Sequence, residues 1–511
     1  MNNLIKYKIR YLFITIFITS SFFFLPGCKK NFLDRQPLGQ YTSGNYPYPA
    51  GSGPYDQFIF SAYASFRTWQ TSVFGFVGAT SIRSDDADKG STPADAPDQI
   101  AMDNFSTLSP TNGLCNDLWT GYFTAIGNCN LVLSQVNKDS AGTAESVKAL
   151  ATAEAKFLRG YANFMLVRLF GNIPLDTAVT GVSNSNIGQS TPAQVYASIE
   201  QDLQFAAANL PLSWSAKFIG RATSGSANGM LAKVYLYEKK WSQAMAAANM
   251  VIQSGVYDLS TPYRKIFTED GENSKESVFE IQAYADANHK EDSYGCQYAN
   301  VQGVRGTDWN NLGWGFNIPS AQLLAAYEPN DPRKDATVLP CPSPAPTEYG
   351  EVFPAEPNPQ YNRKVYTNPA VRATVGDQFG WWMNVRILRY ADVLLMYAEA
   401  ANEMGGAANT AEALAKLNMV RARARNGNNA ILPDITTTNQ DDLRTAIQHE
   451  RRIELAMEHE RFFDLIRWGI AASTLHAAGK TGFIEGVHEL LPIPQAQIDL
   501  SKGVLKQNPG Y

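Results

Sequence analysis

Residues 390–424 read YADVLLMYAEAANEMGGAANTAEALAKLNMVRARA. With Ile387 just upstream, Ala391, Leu394 and Ala398 recur every three to four residues, which predicts a helix over 386–404 that stops at Gly405-Gly406. Leu414, Leu417 and Val420 predict a second helix over 410–425. A helix, a short glycine turn and a second helix with small residues at the crossing form a hairpin. Neither half of such a hairpin can bury its apolar face alone.

The same pattern occurs upstream between Ala227 and Ser254. Met230, Val234 and Tyr237 share one face over 226–238, Trp241, Met245, Ala248 and Ile252 share another over 241–254, and the chain breaks near Lys240. Each pair resembles a tetratricopeptide unit, although the full motif is not matched and the two are not in tandem. Further helices are predicted over 117–137 (Trp119, Tyr122, Ile126, Val132), 145–169 (Phe157, Tyr161, Phe164, Leu169, stopping at Gly171), 193–209 and 442–461. The third of these opens with Thr191-Pro192-x-Gln194, a capping box with proline at the first helical position. Residues 84–115, 260–275, 285–320 and 339–382 lack sustained periodicity, and Val278–Gln282 reads as a short strand. The expected fold is mostly α, with helical hairpins as a scaffold, a loop-rich side and a few short strands.

The N-terminus is a separate matter. Lys6, Lys8 and Arg10 precede an uncharged run from Tyr11 to Leu25. That run is shorter than the ~20 apolar residues of a membrane span and suits a signal-peptide core. It ends in Leu25-Pro26-Gly27-Cys28, which resembles a lipobox with Cys28 as the lipidated first residue of the mature chain. The expected organisation is a signal peptide over 1–27, then regions 28–240 and 241–511 as interwoven parts of one globular unit. The chain carries a net charge of −5, and loss of the leader removes three basic residues and no acidic one. An acidic body without a basic run argues against nucleic acid and against anionic lipid headgroups.

Chemical signatures are sparse. The chain has no phosphate-binding GxxxxGK[ST] and no GxSxG, and His449-Glu450-Arg451-Arg452-Ile453 lacks the second histidine of a zinc HExxH. None of the five cysteines falls in a CxxC pattern, so neither a metal site nor a cofactor is expected. Cys115 and Cys129 fall on or beside one helix, where fourteen residues span ~21 Å, beyond disulfide reach. Cys296 and Cys341 both lie in irregular sequence, and their pairing stays open. Ser84–Gly90 begins like a calcium loop, but its glycine comes one position early and no glutamate closes twelve residues, so it reads as a capped surface turn. Glu450, Glu454, Glu458 and Glu460 mix with Arg451, Arg452 and Arg461. Glu450 and Glu454 share a helical face with Ile447 and Met457. They read as an ion-pair cluster with Arg389, Arg421 and Arg461 as partners, rather than as the paired carboxylates of a glycosidase.

The stretch 294–317 is the candidate binding region. Tyr294, Tyr298, Trp309, Trp314 and Phe316 are interleaved with Gln297, Asn300, Gln302, Arg305, Asp308, Asn310, Asn311 and Asn317. Flat rings offer a stacking surface to the apolar face of a sugar, and amides, Asp and Arg offer forked hydrogen bonds to adjacent hydroxyls. Trp69, Arg83, Asp85 and Trp381-Trp382 are further candidates of the same kind.

Several blocks taken together resemble the SusD/RagB family. They are Cys28-x-x-x-Phe32-Leu33-Asp34-x-x-Pro37, AEAKFLRGYANFMLVRLFGNIPL over 153–175, NVRILRYADVLLMYAEAANEMG over 384–405, ERRIELAMEHERFFDLIRWG over 450–469, Leu491-Pro492-Ile493-Pro494-Gln495 and Gln507-Asn508-Pro509-Gly510-Tyr511. The resemblance implies four tetratricopeptide-like helix pairs supporting a loop-rich ligand side. It also implies a lipid anchor at Cys28 in the outer membrane of Bacteroidota, facing outward, and a partnership with a SusC-like TonB-dependent transporter. The implied ligand is an oligosaccharide or polysaccharide, or a peptide in the RagB branch. No catalytic residue and no cofactor are implied, and a cell-surface glycoside hydrolase is the more distant alternative.

Overall fold

Helix α1 (Gly113–Lys138) begins where the Asn112 carboxamide accepts from the Leu114 and Cys115 amides, and it runs to α2 (Glu145–Phe170). The computed structural model describes residues 53–139, 142–178, 186–290 and 294–511. Helix α3 (Pro192–Asn209) starts with the expected capping box: Thr191 Oγ1 accepts from the Gln194 amide at 3.4 Å, and Gln194 Oε1 accepts from the Thr191 amide at 2.9 Å. Helix α4 (Ser224–Tyr237) carries a second one, between Thr223 and Ser226. Lys239 adopts φ +57° between α4 and α5 (Trp241–Gln253). Past a long excursion come α6 (Tyr390–Met404), α7 (Ala407–Arg425), α8 (Gln440–Glu454) and α9 (Arg461–Trp468).

From α1 to α7 each helix packs on the next, and α8 lies on α6 and α7. This row of eight supplies the helix pairs implied by the sequence. The two hairpins, separated in sequence, meet in space, because α5 packs on α6. Every residue of α6 from Tyr390 to Asn402 is buried, as expected of a helix surrounded by others rather than laid on a surface.

Two helix boundaries differ from the reading above. Residues 385–389 are not helical: Val385-Arg-Ile-Leu-Arg389 forms β8, paired antiparallel with β4 (Ser277–Ile281). The alternating run with Val and Ile favours the pleat, and the helix starts only at Tyr390. The stretch 442–461 is two helices, α8 and α9, because Met457 and His459 take positive φ (64° and 71°). The imidazole of His459 is held by Thr80 Oγ1 at 2.9 Å and Tyr298 Oη at 2.7 Å, which pulls the chain out of the helical path.

The irregular segments carry short antiparallel ladders. β1 (Ala87–Gly90) pairs with β5 (Phe316–Pro319), β2 (Ile173–Pro174) with β3 (Gln189–Ser190), and β6 (Val338–Pro340) with β7 (Gln360–Asn362). Cys115 and Cys129 both lie inside α1, and all four described cysteines are buried. Cys296 joins the main core, whereas Cys341 belongs to a small separate core with Val304, Leu312, Phe353, Tyr361 and Tyr366. Among the described residues no helix is long and apolar enough to cross a membrane. Cys28 and the leader lie outside the described residues.

Candidate functional site

The region 303–315 is a closed loop whose neck is fixed by backbone. The Leu312 and Gly313 amides both donate to the Val304 carbonyl (2.8 and 2.9 Å), Trp314 N donates to Asn300 O (2.8 Å), and Gly315 N donates to Gly303 O (2.9 Å). The strands cross here only because both positions are glycine: a Cβ on Gly303 would sit 2.2 Å from Leu312 O, and one on Gly313 2.1 Å from Asn300 O. Trp309 lies at the tip in a 3₁₀ turn, Asp308–Asn310, and Trp314 at the neck. The Ser91 amide donates to Gly315 O at 2.6 Å, so the turn after β1 is welded to the same neck. That brings Arg305 Nη1 onto Asp95 Oδ2 at 2.7 Å and onto Ser91 Oγ. The Arg305 hydrogen bond, with Ser91 behind it, holds the Asp95 carboxyl below its ordinary value.

The structure sorts the candidate rings into three places. Trp69 and Trp314 face each other with centroids 5.8 Å apart and planes at 58°. Phe74 meets Trp69 (5.3 Å), Trp314 (6.2 Å) and Phe316 (4.9 Å), so it forms the floor of this group. Trp314 keeps 37% of its surface exposed, while Phe316 is buried, with Lys89 Nζ 5.5 Å above its ring. Trp309, 47% exposed, rests instead on Phe353 at 5.3 Å. Tyr294 packs edge-on against His289 at 5.0 Å, and its carbonyl accepts from the Tyr284 amide.

Other candidate residues are structural. Asp85 is buried, and both its oxygens are taken: Arg461 Nε and Nη2 at 2.8 and 3.0 Å, and Arg452 Nη2 at 2.9 Å. Burial raises its carboxyl, but the two guanidinium groups outweigh that and leave it below the ordinary value. A ligand hydroxyl has no access to it. Ser84–Gly90 is therefore a buried strand entry tied down by arginines, not a surface turn, and no metal-binding cluster occurs among the described residues. Arg83 is also buried, its guanidinium 4.1 Å from the Phe462 ring. Asn310 holds its own turn, accepting from the Thr307 amide and donating to Glu356. Gln302 Oε1 accepts from Asn317 (2.7 Å) and Asn362 (2.9 Å), so much of the amide richness is internal wiring. Trp382 is buried and donates to Glu269 at 3.1 Å, and the Trp381 carbonyl accepts from the Cys296 amide at 2.8 Å.

The acidic helix forms the anticipated ion-pair cluster. Glu450 meets Arg333 and Arg421, Glu454 meets Arg333, Arg389 and Arg423, and Glu458 meets Arg389 and Lys364. Arg461 does not join it, having gone to Asp85 and Asp86. Glu450 and Glu454 are fully buried. Burial alone would raise the Glu454 carboxyl, but Arg423, Arg389 and Arg333 hold it down to about 2. A pair of carboxylates so enclosed has no opening toward a glycosidic bond.

Residues 275–511 match the sequence model described as SusD family, and residues 80–236 match one described as "Starch-binding associating with outer membrane". A SusD-like protein, P2, of Formosa agariphila is 31% identical over 437 residues, covering 80% of this chain and 83% of its own. The chain belongs to the SusD family. Among solved SusD-family structures, a laminarin-binding SusD-like protein superposes with a TM-score of 0.74 at 30% identity, covering 89% of this chain and 99% of that one. Surface glycan-binding protein A of Bacteroides thetaiotaomicron, solved in complex with laminarihexaose, superposes with a TM-score of 0.75 at 25% identity, covering 89% and 98%.

On this SusD-family scaffold, sequence reasoning missed Phe74, Lys89 and Asp95. All three lie upstream of α1, far from the aromatic loop in sequence. The density of rings from Phe66 to Phe76 was the available signal for Phe74; nothing marked Asp95 among the polar residues of its loop.

Proposed function

We propose that this chain is an outward-facing, lipid-anchored outer-membrane protein that binds oligosaccharides and hands them to a SusC-like TonB-dependent transporter. The observation that carries the binding reading is the Trp69–Trp314 pair, with Trp314 exposed on its glycine-locked neck, Trp69 partly buried beside it, and the ion pair that Arg305 of the same loop makes with Asp95. Two rings fixed before the ligand arrives accept the apolar faces of pyranose units with little ordering cost. Arg305 and Asp95 sit where hydroxyl groups at the edge of those units would meet a donor fork and an acceptor. The relatives described as binding laminarin or laminarihexaose support β-1,3-glucan as the first ligand to try.

The test is isothermal titration of the chain beginning after Cys28 against laminarin, other plant and host polysaccharides, and a mixed peptide set. Trp314→Ala is expected to weaken glycan binding roughly 5- to 150-fold, the equivalent of ~1–3 kcal/mol for a lost stacking ring by analogy with rings on nucleobases. Unchanged affinity with native circular dichroism would place the site elsewhere. Binding to peptides alone would move the protein to the RagB-like branch, and sugar release from polysaccharide would make it a hydrolase. Anchoring at Cys28 predicts that globomycin causes a larger precursor to accumulate in producing cells; no change in size sinks the lipid anchor.

A further inference from the structure

Trp309 lines a cleft of about 510 Å³ that the Trp69–Trp314 group does not enter. Its other walls are Glu351, Arg372, Asp377, Gln378 and Phe379. The ring is exposed on one face and seated on Phe353 on the other, so it is a fixed shelf rather than a loose side chain. Opposite the shelf is a built polar group. Glu351 Oε2 accepts from both Arg372 Nη2 and the Tyr366 hydroxyl, each at 2.5 Å. Its other oxygen, Oε1, has no hydrogen-bond partner among the described residues. Arg372 is itself buried, and its Nε–H has no partner either. Asp377 is preset by accepting from the Phe379 amide at 2.7 Å.

We propose that this cleft is a second carbohydrate subsite, separate from the Trp69–Trp314 platform, that takes one neutral pyranose unit of the same glycan; the proposal rests on the reading of the protein as a glycan binder. A shelf with open acceptor oxygens on Glu351 and Asp377 and with the Gln378 amide matches the chemistry of a sugar: an apolar ring face and hydroxyls that both donate and accept. The charge balance selects against acidic sugars. Arg372 is already neutralised by Glu351, and Asp377 adds a negative charge, so a uronate or sulfate would meet like charge. Trp309 and Trp314 are five residue steps apart on one locked loop, which puts their Cα atoms no more than ~18 Å apart. An oligosaccharide long enough to reach both gains from an intramolecular second contact, whereas a short one does not.

The experiment labels the protein with 5-fluorotryptophan and follows the ¹⁹F signals of Trp309 and Trp314, assigned with W309F and W314F. Probes are laminarihexaose, cellohexaose, maltohexaose and, as the acidic counterpart, hexagalacturonate. At least one neutral hexasaccharide is expected to move the Trp309 signal in the native chain and in W314A, and hexagalacturonate is expected not to. W309A and Q378A should lower affinity for the hexasaccharide that binds about 5- to 10-fold while leaving affinity for the disaccharide of the same linkage unchanged. A Trp309 signal still in both chains, or moved only by the acidic sugar, overturns the subsite. Loss of the Trp309 response in W314A makes the two one continuous site and also overturns it. A response at Trp309 with none at Trp314 overturns the platform reading alone.

Discussion

Burial holds the His459 imidazole down to about 3, while Thr80 and Tyr298 engage its two nitrogens. Unfolding returns it to an ordinary value near 6.5. Between those values the unfolded chain binds a proton that the folded chain refuses. Stability is therefore complete above pH 6.5 and declines as pH falls through the window, by up to about 1.4 kcal/mol per pH unit. His488, lowered to about 4 by burial and then by Arg83, acts the same way in the upper part of that range. Glu272 and Glu238, both raised to about 7 by burial, pull the opposite way over the same range. His459 is therefore read by difference: from pH 7.5 to 4.5 the urea midpoint of His459→Gln should fall less, or rise more, than that of the native chain, and an equal change in both would show that His459 is not the titrating group. At this scale the sequence was legible in kind and not in pairing. Arginines were rightly sought for Glu450 and Glu454, but Arg461 found Asp85, 376 positions away, because only the fold decides which buried charges meet. Trp309 and Trp314 look like one cluster in sequence, yet the turn between them sends their rings to different neighbours.

The loop 303–315 behaves as an element without being a helix or a strand. Its neck tolerates no side chain at Gly313, since the atom a Cβ would meet is backbone, which has no rotamer to yield. Gly313→Ala should destabilise the protein by ~1–3 kcal/mol in urea titration and weaken glycan binding together with Trp314→Ala-like loss of ring order; native stability with intact binding would show that the neck opens freely. Elements whose signals are local were readable: the α3 capping box and the two hairpins fall where Thr191-Pro192-x-Gln194 and Gly405-Gly406 put them. Elements decided by distant partners were not. β8 looks like the first turn of a helix until β4 arrives to pair with it, and the α8–α9 break exists because Thr80 and Tyr298 claim His459.

Across the whole molecule, the row of helices is interrupted in sequence between α5 and α6 and continuous in space. Helix α5, which buries Ala244, Ala247, Ala248 and Val251, packs on both α4 and α6, and α6 comes from the far side of the excursion. A chain ending at Ser254 should consequently lack near-ultraviolet dichroism and a cooperative melt; a sharp transition in that fragment would mean the first half is self-sufficient. The mostly helical class was legible because apolar residues recur every three to four positions through most of the long helices, with glycine stops such as Gly171 and Gly405-Gly406 at their ends. The stacking of the two hairpins was not, since no sequence signal spans the excursion between them.

The pairing of Asp85 and Asp86 with Arg452 and Arg461 has a consequence in time as well as in space. Synthesis delivers the two aspartates first and their arginines some 370 residues later. Until then the carboxylates have no counter-ion and favour water. A polypeptide emerging from the ribosome thus lacks the arginines that neutralise this buried pair until its last stretch has been made.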